Sequence, residues 1–113
     1  MRPEVEAAAE TDRLIREAIA GRRLIRFMLD GLDRIGEPHD YGTLKGIDRV
    51  LVYQVAGGSH SGQLPDWRLV TVEKISALEV LETTFDGSRD GPIGRRHYHW
   101  ERLYASASED LSS

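Results

Sequence analysis

The feature that most constrains this chain is its punctuation. Between Leu24 and Phe85, short apolar runs rich in β-branched residues alternate with glycine-bearing turn signals. The run "RVLVYQVAGG" is the clearest: Val50, Leu51, Val52, Tyr53 and Val55, closed by Gly57 and Gly58. Such a run is too short for a helix of ordinary length and has strand-forming composition. "LIRFMLDG" is similar, with Leu24, Ile25, Phe27 and Leu29 ahead of the turn pair Asp30-Gly31. In "DWRLVTVEKI" the two-residue period puts Trp67, Leu69 and Thr71 on one face and Arg68, Val70 and Val72 on the other. "SALEVLETTF" fits a strand or one helical turn, and Val80, Thr83, Thr84 and Phe85 favour the strand. "DRIGEPHDYGTLKG" carries Gly36, Pro38, Gly42 and Gly46, which predicts short extended pieces between turns rather than one long strand.

One helix precedes these runs. In "DRLIREAIAGRR", Leu14, Ile15, Ala18 and Ile19 share a helical face, Thr11 or Asp12 supplies an N-cap, and Gly21 supplies a stop. Residues 1–10 have no apolar period and read as a flexible arm. "RRHYHWERLYASAS" reads as either a short helix or a last strand, and residues 106–113 as a loose tail. One domain over residues 11–105 is therefore expected. Its fold class is mainly β with one N-terminal α-helix: a small, bent antiparallel sheet or barrel with the helix over one opening.

Composition narrows the function classes. A chain of 113 residues fits one domain, and no apolar run approaches the length of a membrane span. The N-terminus lacks a secretory pattern, so a cytoplasmic location is expected. The chain has no cysteine, which excludes disulfides, thiolate catalysis and cysteine-based zinc sites. A net charge of −4 is unlike that of a free-standing nucleic-acid binder, although Arg22, Arg23 and Arg26, and again Arg95, Arg96 and Arg102, lie close together.

The stretch "GGSHSGQLPDWR" has three glycines between two strand-like runs. It lacks the Lys-Ser or Lys-Thr of a phosphate loop and no helix follows it, so it reads first as a hairpin loop and second as a binding rim. His97 and His99 are spaced for one face of a strand, and a carboxylate such as Glu37, Asp40 or Glu101 would complete a metal site. No established metal-binding spacing supports this, and neither a metal nor a cofactor is expected. Ser59 or Ser61 with His60 or His39 and Asp66 or Asp40 makes a triad on paper only, without a nucleophile elbow. The aromatic and basic residues carry more weight. Tyr53, Trp67 and Arg68 lie on adjacent predicted strands and Arg26 lies beside Phe27. Arginine offers a planar fork for phosphate or carboxylate, and aromatic rings stack on bases.

The order of these pieces resembles the WYL domain. The resemblance runs over residues 13–85, through "LIREAIAGRRLIRFML", "GEPHDYGTLKG", "RVLVYQ" and "DWRLVTVEKISALEVLETTF". It implies an Sm-like, five-stranded barrel with an N-terminal helix, of the kind found in bacterial transcriptional regulators as a sensor of nucleotides or nucleic acid. It also makes Arg68 the counterpart of a ligand-binding arginine on the fourth strand. The Trp-Tyr-Leu triplet reads Arg49-Val50-Leu51 here, and the helix-turn-helix domain is not in this sequence.

The expected function is a non-enzymatic regulatory module with no catalytic residue. Arg68, Trp67, Tyr53 and Arg26, with His60 on the loop rim, would hold an anionic, nucleotide-like small molecule or single-stranded nucleic acid. Expected partners include a second copy of the chain and a separate DNA-binding protein, but no membrane. The alternatives are a protein-interaction module that uses an open strand edge and, behind it, a small metal-dependent hydrolase using His39, His60, His97 or His99.

Overall fold

The computed structural model describes residues 3–58, 64–86 and 98–107. The elements run α1 (Pro3–Gly21), β1 (Arg23–Leu29), β2 (Leu32–Leu44), β3 (Ile47–Gly57), β4 (Asp66–Thr71), a single 3-10 turn (Val72–Lys74), β5 (Ser76–Thr84) and β6 (Arg102–Ser106). The fold is mainly β with one N-terminal helix, as the punctuation predicts. The strands form one antiparallel sheet in the order β4-β3-β2-β1-β5, and β6 pairs with β2. The sheet is strongly bent but does not close into a barrel, and among the described residues it has six strands rather than five.

Two tight turns set the register. Asp30 and Gly31 have φ of 54° and 75°, and Lys45 and Gly46 have φ of 52° and 75°. This left-handed pair is the type I′ geometry whose twist matches paired strands. β2 then runs for 13 residues, where short pieces between turns were expected. Its glycines are points of close approach rather than breaks. A Cβ on Gly36 would lie 2.8 Å from the Tyr53 carbonyl oxygen and closer still to Val52 Cγ1, and one on Gly42 would meet the backbone of β6 at Arg102. The chain bends at an irregularity between Pro38 and Asp40, where His39 is the extra residue opposite β3. The first part of β2 pairs with β1 up to Gly36, and the second pairs with β6 from Asp40. The segment that read as helix or strand supplies β6.

α1 starts at Pro3, not at Thr11, so most of the expected flexible arm is helix. Ala7, Ala8 and Ala9 have the highest helix propensity. Exposed ion pairs continue the helix: Arg13 to Glu10 at 2.7 Å, Arg13 to Glu17 at 3.1 Å, and Arg16 to Asp12 at 3.0 Å. Each such pair contributes about 0.2–0.5 kcal/mol. A solvated half-helix of this kind has no apolar period to detect. Its second half docks through Ile15, Ala18 and Ile19, all buried. They pack with Ile25, Phe27, Tyr41, Val50, Val52 and Val70 from the sheet. Full burial of each large apolar side chain contributes roughly 1.5–3 kcal/mol. The tail is not loose at its start either: Ser106 ends β6, and buried Ala107 donates its N–H to the His39 carbonyl at 2.6 Å.

Candidate functional site

Register assigns each residue to a face, because cross-strand partners share one and neighbours in sequence alternate. The inner face, which carries the core, takes Phe27 with Arg34, Gly36 with Gln54, Pro38 with Val52, and Tyr41 with Val50. β4 adds Val70 opposite Val50 and Arg68 opposite Val52. The outer face takes Glu37, Tyr53 and Trp67 in one row.

This register divides the expected groove. Tyr53 and Trp67 do meet, with ring centroids 4.9 Å apart. Arg68 points to the inner face, away from both rings. Arg26 is already paired with an acid in this arrangement. Its Nε lies 3.0 and 3.1 Å from the two Asp33 carboxylate oxygens and its Nη2 lies 2.8 Å from one of them, in an exposed forked pair. Asp33 is held below the usual carboxylate pKa by that hydrogen bond. His60, Ser59, Ser61 and His97 lie outside the described residues. The loop reading of "GGSHSGQLPDWR" fits the antiparallel pairing of β3 with β4, the strands that it joins.

Two further groups of polar residues are buried. On the outer face, Glu37, His39 and Asp40 are all at most 4% exposed. His39 Nε2 is 3.1 Å from Glu37 Oε1, and its ring lies edge-on to Trp67 at 4.9 Å. Phe85 closes the other side at 5.0 Å. Ser106 Oγ donates to Asp40 Oδ1 at 2.5 Å, so this serine serves an aspartate rather than a histidine. Among the described residues, no three His, Asp or Glu converge as a metal site would need.

The second group sits on the inner face at the β1–β2 turn end. Arg34 is only 5% exposed. Its Nη1 donates to Gln54 Oε1 at 3.5 Å, the outer limit for such a bond. Its nearest acid among the described residues is Asp30 at 3.9 Å, whose side chain is 59% exposed. Arg34 Nε has no hydrogen-bond partner among the described residues. Gln54 is fully buried and fixed, with its Nε2 donating to the carbonyls of Ala56 at 3.1 Å and Gly58 at 2.8 Å. A buried charge costs several kcal/mol unless it is paired and hydrogen-bonded. This guanidinium has little of either, and bidentate oxyanions are its natural complement.

A cleft of about 650 Å³ opens elsewhere, between α1 and the β2–β3 turn. Asp12, Asp48 and Glu73 line it together with Ala7, Ala8 and Ile47. Its charge is of the wrong sign for an anion. Tyr41 at its base donates to Asp12 at 2.7 Å, and burial first, then that bond, pushes the phenol pKa well up.

Compared with known proteins, the chain matches no family model, no curated protein and no solved structure. The WYL resemblance accordingly rests on its residue pattern alone. No helix among the described residues is long and apolar enough to cross a membrane.

Proposed function

We propose that the chain is a non-enzymatic module that binds an anionic group on the inner face of its bent sheet, with Arg34 as the principal recognition residue. One observation carries the reading: a guanidinium 5% exposed, with no acid closer than 3.9 Å among the described residues. A folded chain bears that cost most readily where a ligand completes the pairing. Arg68, the residue to which the WYL resemblance would assign ligand binding, lies on β4 opposite Val52 on that face. Tyr53 and Trp67 do not join it, so base stacking beside the arginines is not part of the proposal. A cytoplasmic sensor of phosphorylated or carboxylated metabolites, acting with a separate DNA-binding partner, is the corresponding biological role.

Thermal denaturation tests the reading. Inorganic phosphate, AMP, acetate and a short single-stranded DNA are each added to wild type and to Arg34→Gln. Binding to the native state alone raises stability by about 2.7 kcal/mol at a hundredfold excess over Kd. The reading predicts a melting shift for wild type with at least one anion and none for Arg34→Gln. Equal behaviour of the two proteins with every anion removes it.

A second reading is favoured by the sheet's ends. β4 and β5 terminate the strand path, and each has an outer edge that pairs with no strand among the described residues. Such edges pair with further strands. Pairing with a second copy predicts a dimer or larger ring by light scattering, and a monomer at every concentration excludes it.

A further inference from the structure

We propose that Arg34 takes its anion side-on, through its Nε–H and one Nη2–H, and that Asp30 is a built-in negative charge that weakens this binding. The ligand class is then an oxyanion that offers two oxygens on one side. The inference rests on the anion-binding reading above and adds the docking edge, the ligand class and a residue that sets the affinity.

A guanidinium is planar and carries its N–H donors in a fixed fork. Its side-on edge presents the Nε–H and one Nη2–H in parallel, and Nη1 lies on the far side of the fork. In Arg34 the far side is engaged, with Nη1 donating to Gln54 Oε1 at 3.5 Å. Gln54 is held in turn by its bonds to the Ala56 and Gly58 carbonyls. The side-on edge differs. Nε is buried and has no hydrogen-bond partner among the described residues. Asp30, the acid nearest Nη2 among them, lies 3.9 Å away, beyond hydrogen-bond length. Two parallel donors of a residue only 5% exposed therefore point one way, with no acceptor in bonding range among the described residues.

Asp30 marks the way to this edge. Its side chain is 59% exposed while Arg34 is buried, so the pair leads from solvent to the guanidinium. Asp30 sits in the type I′ turn with φ of 54°, and the turn fixes where its carboxylate stands. At 3.9 Å it is close enough to act as a charge and too far to bond. An incoming anion therefore meets a like charge beside the edge. Water screens so exposed a carboxylate, which makes the effect a few-fold reduction in affinity rather than a block. Shape then chooses among anions. A carboxylate or a phosphate presents two oxygens to the two parallel N–H groups. A halide has a single centre and gains only from the charge. Asp30 opposes both kinds alike, and the edge favours the oxyanion.

Calorimetric titration of the full chain at low ionic strength tests the proposal. Inorganic phosphate, acetate and chloride are titrated separately into wild type, Arg34→Gln, Arg34→Lys and Asp30→Asn, and far-UV circular dichroism checks each fold. Asparagine accepts the left-handed turn conformation as aspartate does, so Asp30→Asn removes the charge and keeps the turn. Wild type should bind phosphate or acetate at least about tenfold more tightly than chloride, a difference of roughly 1.4 kcal/mol. The two oxyanion arms distinguish a phosphorylated from a carboxylated ligand, and binding of either supports the edge. Arg34→Lys keeps the charge without the fork and should lose most of the preference over chloride. Asp30→Asn should bind the oxyanion about two- to fivefold more tightly, the gain expected when a screened like charge is removed. Chloride bound as tightly as the oxyanions, or Arg34→Lys behaving like wild type, overturns the side-on edge. Asp30→Asn binding no more tightly than wild type overturns the role of Asp30. In either case, loss of binding in Arg34→Gln leaves the anion site at Arg34 standing. Arg34→Gln binding like wild type, or no heat with any anion in wild type, ends that reading as well.

Discussion

Replacing Arg34 with methionine should make the ligand-free protein more stable. The substitution keeps much of the aliphatic stem and removes the charge. Withdrawing an ion from water costs several kcal/mol in a real protein, and Arg34 is only 5% exposed. Two contacts offset this. At an effective dielectric constant of 20, a unit charge pair at the 3.9 Å separation of Arg34 and Asp30 gains about 4 kcal/mol. The Asp30 side chain is 59% exposed, however, and exposed pairs are worth about 0–1 kcal/mol. The smaller figure governs, because water reaches the carboxylate. The bond to Gln54 at 3.5 Å is too long to recover the typical contribution of about 1 kcal/mol. The balance leaves Arg34→Met more stable by about 1–3 kcal/mol, or roughly 4–12 °C in Tm for a domain of this size. Urea unfolding in phosphate-free buffer, followed by tryptophan fluorescence, measures the difference. A variant less stable than wild type by 1 kcal/mol or more would refute the reasoning, since Arg34 would then be a satisfied structural residue.

Other consequences are equally open to measurement. Gly36→Ala should destabilise the fold by about 1–3 kcal/mol through overpacking, because its Cβ would press on the Tyr53 carbonyl oxygen at 2.8 Å and on Val52; an unchanged urea midpoint would contradict the close packing of β2 on β3. Asp33 titrates below the usual carboxylate pKa because of its hydrogen bond with Arg26. Its stabilising contribution is thus complete above the unfolded-state pKa and is lost as pH falls through the lower folded value. Arg26→Gln should move the Asp33 carboxyl titration upward in carbon NMR, and an unmoved titration would mean that the pair does not persist in solution.

Much of the scaffold was legible because strands advertise themselves by composition and turns by residue pairs. Val50 to Val55, Trp67 to Thr71 and the Asp30-Gly31 turn are local signals, and each survives folding. The alternation of Trp67 and Leu69 against Arg68 and Val70 was legible too. Which of those faces turns inward was not, since that depends on the register of β4 against β3. β2 was misread because Gly36 and Gly42 look like breakers in one dimension. In three dimensions they make room for the backbones of β3 and β6. The first half of α1 was missed because it is held by alanine propensity and solvated ion pairs rather than by a buried stripe.

The candidate site was the least legible part. In "LDRIGEP" the local alternation makes Ile35 the apolar residue and Arg34 the polar one, so Arg34 reads as a surface charge. Its place on the inner face follows from the register, which sets it opposite Phe27 across one strand pairing and Gly57 across the other. Pairing β1 with β2 through the Asp30-Gly31 turn would have set Arg34 opposite Phe27. That local geometry was the available signal. Arg26 was overvalued for the converse reason: beside Phe27 in sequence, it lies on the other face and is taken by Asp33.

The most direct test of the account is a nitrogen-15 NMR titration of the arginine Nε–H signals with inorganic phosphate, with Arg34 assigned by its loss in Arg34→Gln. The account predicts a saturable shift of the Arg34 Nε–H, because that buried group has no hydrogen-bond partner among the described residues. An Arg34 signal that stays fixed while phosphate moves only exposed arginines such as Arg13 and Arg26 would contradict it.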